Sequence, residues 1–335
     1  MDYAGAFPFF DFKAIETYPL SERPNLVSLS NFVDTSSLEK TAPSDLTPDL
    51  STAADLMADY VSKGLPVVVF FGAHIIKNGL SPILIRWIEQ GWITHLATNG
   101  AGCIHDFELG LIGETSEDVP DALPRGKFGQ AEETGHFINQ AANQAQSLNL
   151  GFGEAMGRLL CGELDGLQAD CQYPDKSVMA TAWKARIPFT IHVCLGQDIV
   201  HQHPEFDGGA TGAASGRDFG VFTASIQAFT RGGLFVNIGS AVAGPEVLLK
   251  AVSMISNVGT VPSRLDTIVF DIREILASDN ARDTSKASYY YRDFKSIIVR
   301  IPSAYHGKGH YVCGNMLNTL PLFHSALSHR LCHDA

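Results

Sequence analysis

Between Val67 and Gly102 the chain carries the pattern that most restricts its fold. Val67-Val68-Val69-Phe70-Phe71 is apolar with no polar alternation, which predicts a strand covered on both faces, as in a parallel sheet. It runs into Gly72-Ala73-His74. A helical segment follows, then a second buried strand at Ile93-Thr94-His95-Leu96-Ala97-Thr98, which runs into Asn99-Gly100-Ala101-Gly102. Small residues at these two corners let the backbone approach a ligand at the carboxyl ends of the strands, where open α/β sheets bind nucleotides. Neither corner is a G-x-G-x-x-G, and glycine after a strand also serves as an ordinary tight turn.

The chain has 335 residues, 45% hydrophobic and 18% charged, enough to bury a substantial core in one large α/β domain or two smaller ones. Its net charge of −12 and scattered basic residues argue against a duplex nucleic-acid binder and against an anionic membrane surface. The longest basic-rich stretch, Lys286 to Arg300, is interrupted by Tyr289-Tyr290-Tyr291 and Asp293. Cys103, Cys161, Cys171, Cys194, Cys313 and Cys332 include no C-x-x-C pair, so reduced and mostly buried thiols are expected. The first residues carry no basic segment followed by an apolar stretch, and no apolar run approaches the roughly 20 residues that span a bilayer. The expectation is a cytoplasmic protein.

Residues 1–50, rich in Pro, Ser, Asp and aromatics, read as an arm, and Phe7-Pro8-Phe9-Phe10-Asp11-Phe12 predicts packing on the body or on a neighbouring subunit. Residues 51–335 read as a single α/β domain. Helices are expected over Ser51–Lys63, after Pro82, from Asp106 to Leu111, and over Glu132–Leu148, Gly153–Cys161, Thr211–Arg231, Pro245–Asn257 and about Asn318–Leu331. Ser177–Arg186 leads into a strand at Pro188–Val193. Further strands are expected at Leu234–Ser240, Asp266–Asp271, Ser296–Ile301 and His310–Cys313, and Glu114–Phe128 reads as a loop or lid. This alternation predicts a doubly wound, mostly parallel sheet with helices on both faces.

The densest polar cluster runs from His201 and His203 through Asp207-Gly208-Gly209 to Gly212. His201, His203 and Asp207 have ligand chemistry for a divalent metal and so for a metal-dependent hydrolase. Alternatively, Asp207 bonds a ribose or its own loop backbone, and Gly208 allows close approach. Asp106 fits a cap for the helix expected to begin there. His105, beside the second glycine corner, fits a general acid or base. Ile238-Gly239-Ser240 lacks the glycine frame of a nucleophile elbow, and there is no Walker A pattern. Lys295 follows three tyrosines; such a lysine either forms an imine with a carbonyl compound or simply stacks on a ring.

From about Pro66 onward the chain resembles the deoxyhypusine synthase family. Phe71-Gly72-Ala73-His74-Ile75-Ile76 occupies the place of that family's first glycine turn, and Asn99 to Asp106 that of the second, with its last glycine and closing aspartate. Pro204-Glu205-Phe206-Asp207-Gly208-Gly209 resembles the Pro-x-x-x-Asp-Gly-Ser stretch, one residue shorter, and Ile238-Gly239-Ser240-Ala241 the Leu-Gly-Gly-Gly turn. The resemblance implies a Rossmann-like fold and NAD as cofactor, held by Gly72, Ala73, His74, Asn99, Gly100, Ala101, Gly102, Asp106, Asp207, Gly208, Gly239 and Ser240. It implies a homotetramer and a transferase acting on a polyamine or other amine, with Lys295 as the imine-forming lysine. His105 is the proton-transfer candidate. Trp-Gly-Lys is replaced by Asp293-Phe294-Lys295, and the carboxylate-rich stretch by Leu276 to Asp283, which includes Arg282. The substrate is therefore expected to differ from the family's own, and a nucleotide-binding, non-catalytic homologue is the alternative.

Overall fold

The computed structural model describes residues 3–40, 43, 46–276 and 279–332. Six strands form one parallel sheet: β1 (Val67–Phe71), β2 (His95–Asn99), β3 (Phe189–His192), β4 (Gly233–Ile238), β5 (Leu265–Asp271) and β6 (Gly309–Cys313). Their order across the sheet is β3-β2-β1-β4-β5-β6. The direction of winding thus reverses between β1 and β4, and ligand crevices of open α/β sheets lie at such a reversal.

All five residues of β1 are buried, and their alternation splits them between two cores. Val67, Val69 and Phe71 face one layer with Met57, Trp87, Phe107 and Phe323. These come from α1 (Pro48–Ser62), α2 (Ser81–Glu89), α3 (Gly100–Ile112) and α9 (Met316–Cys332). Val68 and Phe70 face the other, with Phe222 of α7 (Gly208–Gln227), Leu248 of α8 (Ala243–Asn257) and Ile297. The sheet is doubly wound because β1 has no polar side to leave in water. Between β2 and β3 lie α4 (Glu132–Ser147), α5 (Phe152–Leu160) and α6 (Val178–Lys184).

Three local expectations are corrected. Ser296–Ile301 is not a strand: 293–300 form a π-helical segment whose Ile297 carbonyl accepts from Thr267 Oγ1 at 2.6 Å. β5 and β6 are parallel neighbours, so the chain between them must cross over in another layer, and a third strand has no place there. Glu114–Phe128 is not an open loop. Glu114–Glu117 pairs antiparallel with Asn25–Ser28, and Val119–Ala122 is a short helix. The helix expected from Asp106 starts at Gly100, where Asn99 Oδ1 accepts from Gly102 N at 2.9 Å.

In this single chain Phe7 and Phe10 are exposed, at 77% and 62%, while Phe12 is half-buried. No cysteine among the described residues is disulfide-bonded. Only Cys103 is buried, while Cys194, Cys313 and Cys332 are exposed, so the thiols are less buried than expected. No helix among the described residues is long and apolar enough to cross a membrane. Ala277 and Ser278, part of the stretch aligned with the family's carboxylates, lie outside the described residues.

Candidate functional site

At the carboxyl end of the sheet, a cleft of about 460 Å³ opens beside the reversal point. Asn99 and Gly100 form one side, Gly239 to Ala243 another, and His192 to Cys194 with Gln197 and Asp198 the third. Two of the corners singled out in the sequence thus meet in one cavity. The third, at Gly72, supports it from behind: Gly72 N donates to Ile238 O at 2.9 Å. A Cβ at Gly72 would lie 2.3 Å from the Gly239 carbonyl oxygen, so only glycine allows the two corners to close up. Gly239 itself has φ +60, the left-handed region.

The amino ends of α3 and α8 both reach this cleft. Ser240 Oγ accepts from Gly244 N at 3.0 Å, and the Asn237 amide accepts no bond but donates to Ser240 O at 2.9 Å. Asp198 lies against the start of α3, so close that a Cβ on Gly100 would sit 2.0 Å from its Oδ2. Burial pushes the Asp198 carboxyl up to about 6. Among the described residues no lysine or arginine lines the cleft. Its other carboxylate, Glu246, is matched by Arg292 at 2.8 Å and by Lys250.

Gln197 and Asp198 also border a side pocket of about 180 Å³, with Arg23, Lys77, Ala101, His105, Glu108, Ser116 and Glu117. Here His105 has a defined tautomer. The Thr115 hydroxyl donates to Glu108 Oε2 at 2.5 Å, so it must accept from His105 Nδ1, 2.8 Å away. The remaining nitrogen, Nε2, is therefore the acceptor. Burial pushes the imidazole down to about 4, with Glu108 opposing the shift. Burial would raise the Glu108 carboxyl, but Arg23, 2.8 Å away, outweighs it and holds the group below its ordinary value.

The other sequence-chosen residues lie elsewhere. Ala73 is half-buried and His74 exposed, and neither lines the cleft. Gly102 packs on Thr98 Oγ1. Asp106 is buried and caps α6, accepting from Ser177 Oγ at 2.6 Å, Val178 N at 2.8 Å and Met179 N at 2.9 Å. Asp207 caps α7 through Gly209 N and Ala210 N, at 2.8 and 3.0 Å, with Gly208 as its first residue. Lys295 lines neither cavity: its Nζ sits 4.1 Å from the Tyr289 ring centroid, the stacking alternative.

The metal alternative gains no support from the geometry. Among the described residues no group of three His, Cys, Asp or Glu is placed to hold a metal ion. His201 Nδ1 accepts from Gly196 N and Asp198 N at 3.1 and 3.2 Å, and His203 Nδ1 accepts from Glu205 N at 3.2 Å. Both rings brace the loop instead.

Sequence reasoning missed His192, Gln197 and Asp198. His192 stands at the end of a strand, the position that marked Asn99, so that signal was available. Nothing local distinguished Asp198.

No model of a known protein family matches the chain, and no curated protein matches it. Among solved structures it is similar to a candidate LOR/SDH protein from Methanococcus maripaludis S2, at 16% identity and TM-score 0.48, covering 88% of this chain and 73% of that one. It is similar to AgrE, solved with ornithine and NAD+, at 16% identity and TM-score 0.47, covering 91% and 34%. A candidate deoxyhypusine synthase from Entamoeba histolytica is 10% identical, with TM-score 0.46 and coverage of 93% and 96%. The chain spans about a third of the length of AgrE and of the cyanobacterial arginine dihydrolase ArgZ. The functional reading therefore rests on the chain's own geometry.

Proposed function

We propose that the cleft binds a dinucleotide of the NAD type and that the protein is an NAD-dependent enzyme acting on an amine. The observation that carries this is the convergence of Asn99-Gly100 and Gly239-Ser240 on one cleft where the strand order reverses. The donor set fits. Two helix amino ends and a glycine corner offer backbone N–H groups, which hold a pyrophosphate without basic side chains. At about 460 Å³ the cleft is within the ordinary range of roughly 300–1,000 Å³ for ligand sites. When bound, NAD supplies hydride acceptance.

The amine belongs in the side pocket. Asp198 and Glu117 offer negative charge there, and His105 Nε2 is an acceptor held by the Thr115–Glu108–Arg23 chain. His105 Nε2 would accept a hydrogen bond from the substrate amine and orient it. The deoxyhypusine synthase resemblance supports the same chemistry, including aminoalkyl transfer. Lys295 as the imine-forming residue gains no support from its place over Tyr289.

Calorimetric titration with NAD+ tests the reading: saturable heat is expected, and none at millimolar NAD+ overturns it. NADH formation with putrescine, spermidine and ornithine tests the amine. Binding without turnover on such a panel favours the non-catalytic alternative.

The exposed Phe7, Phe9 and Phe10 fit contact with a second copy, as a homo-oligomer requires. Deleting residues 3–15 should lower the sedimenting mass; an unchanged mass removes that role for the arm.

A further inference from the structure

A line of four polar groups crosses the sheet from the cleft towards α7. His192, in the cleft wall, has Nε2 3.0 Å from Thr190 Oγ1. The same hydroxyl lies 2.9 Å from His95 Nε2, and His95 Nδ1 lies 2.8 Å from Ser225 Oγ. His95 is fully buried, while Ser225 is half-buried on α7. The Nδ1 of His192 has no protein partner among the described residues, yet it is not among the closed-off buried atoms, so it opens to the cleft. Each link is within hydrogen-bond range, and both ends reach beyond the core.

We propose that His192, Thr190, His95 and Ser225 form a proton relay connecting the cleft with solvent at α7. A proton entering at His192 Nδ1 forms one N–H bond. The Nε2–H of that ring passes to Thr190 Oγ1, whose own proton passes to His95 Nε2. The Nδ1–H of His95 then passes to Ser225, whose proton leaves to water. Four bonds to hydrogen form and four break within the chain, one proton is taken up and one released, and both rings end neutral in the opposite tautomer. Shuttling between neutral tautomers suits this site. Phe222 packs on both rings, with centroids 5.4 and 5.3 Å away, and burial pushes both imidazoles down to about 3. A stored imidazolium is disfavoured, whereas passing a proton along requires none.

The inference gains its purpose from the reading above, because amine oxidation releases protons, but its test needs no cofactor. In protein labelled with 15N-histidine at pH 7, NMR should show both rings neutral, with only one of the two Nε2 atoms protonated. The His95 ring N–H should exchange with water at least ten-fold faster than the neighbouring β3 backbone amides, although the ring itself touches no solvent. Ser225→Ala or Thr190→Val alone leaves one exit and slows exchange by a few fold. The double variant slows it at least ten-fold, and Thr190→Ser keeps the wild-type rate. Exchange as slow as the backbone amides, an imidazolium at either site, or protons on both Nε2 atoms overturns the relay. The wild-type measurement decides even where Thr190→Val fails to fold. NAD+ binding with a failed relay leaves the functional reading intact; an intact relay without NAD+ binding does the reverse.

Discussion

Asp198 shows how one side chain sets the terms for a ligand. Its carboxylate lies at the amino end of α3, where a bound pyrophosphate would also bring negative charge. Burial raises the group to about 6, so it gains a proton as pH falls through that value. NAD+ binding measured by calorimetry should therefore tighten several-fold between about pH 7.5 and about pH 5.5. Asp198→Asn should bind at pH 7.5 as tightly as the wild type does at the lower pH. A pH-independent affinity would separate Asp198 from the ligand. Gly72 is equally constrained, by space rather than charge. Gly72→Ala drives a methyl into the Gly239 carbonyl, and chemical denaturation should show a loss of about 1–3 kcal/mol. Glycine at this corner could be read from the sequence, but its reason could not. Its role is closeness between β1 and β4 rather than closeness to a ligand.

At the scale of elements, β1 was legible because a strand buried on both faces can be continuously apolar. β2, β4 and β5 were legible because short apolar runs there end in small or turn-forming residues, although each also buries polar side chains such as His95, Asn237 and Asp266. The segment around Ile297 has the same local composition and is helical, since the topology leaves it only a crossover to fill. The ribbon of Asn25–Ser28 and Glu114–Glu117 was not legible, because its partners lie far apart in sequence and neither is strongly apolar. What holds it is Arg23, whose buried guanidinium pairs with Glu108 of α3. Arg23→Ala leaves the Glu108 charge buried with only Thr115 and Thr134 as hydrogen-bond partners. Denaturant melts should show a loss of about 3–5 kcal/mol. Backbone exchange over 114–117 should accelerate, and His105 should lose its fixed tautomer. Wild-type protection of that strand would show that the ion pair does not anchor it.

For the whole molecule, the buried carboxylates shape the response to pH. Asp218 of α7 accepts from Gly153 N and Ile191 N at 2.9 and 2.7 Å, tying α5 and β3 to α7. Burial nonetheless raises its carboxyl from 3.8 to about 8. The folded state then holds a proton that the unfolded chain releases at lower pH. The resulting stability is complete below about 3.8 and is lost as pH rises through about 8. Thermal melts should fall between about pH 6 and about pH 9. Asp218→Asn should melt close to the wild type near about pH 6, because both bonds end on one oxygen and an amide oxygen can accept them as the protonated carboxyl does. Its profile over the same range should be flat; a wild-type-like alkaline decline in that variant would assign the effect to other groups.

By itself the sequence determined the layer order: the wholly apolar run Val67–Phe71, followed by further apolar runs alternating with amphipathic helices, can be buried only as a sheet wrapped on both sides. It also marked Asn99-Gly100 and Gly239-Ser240 as corners, because small residues after such strands have few other uses. Tertiary structure decided which corners share a cavity, and it assigned Asp106 and Asp207 to helix caps and Lys295 to an aromatic face. It also aligned His192, Thr190 and His95 across the strands. Those outcomes depend on strand order and on contacts between residues distant in the chain, and no local pattern encodes the distance between two side chains that only folding brings together.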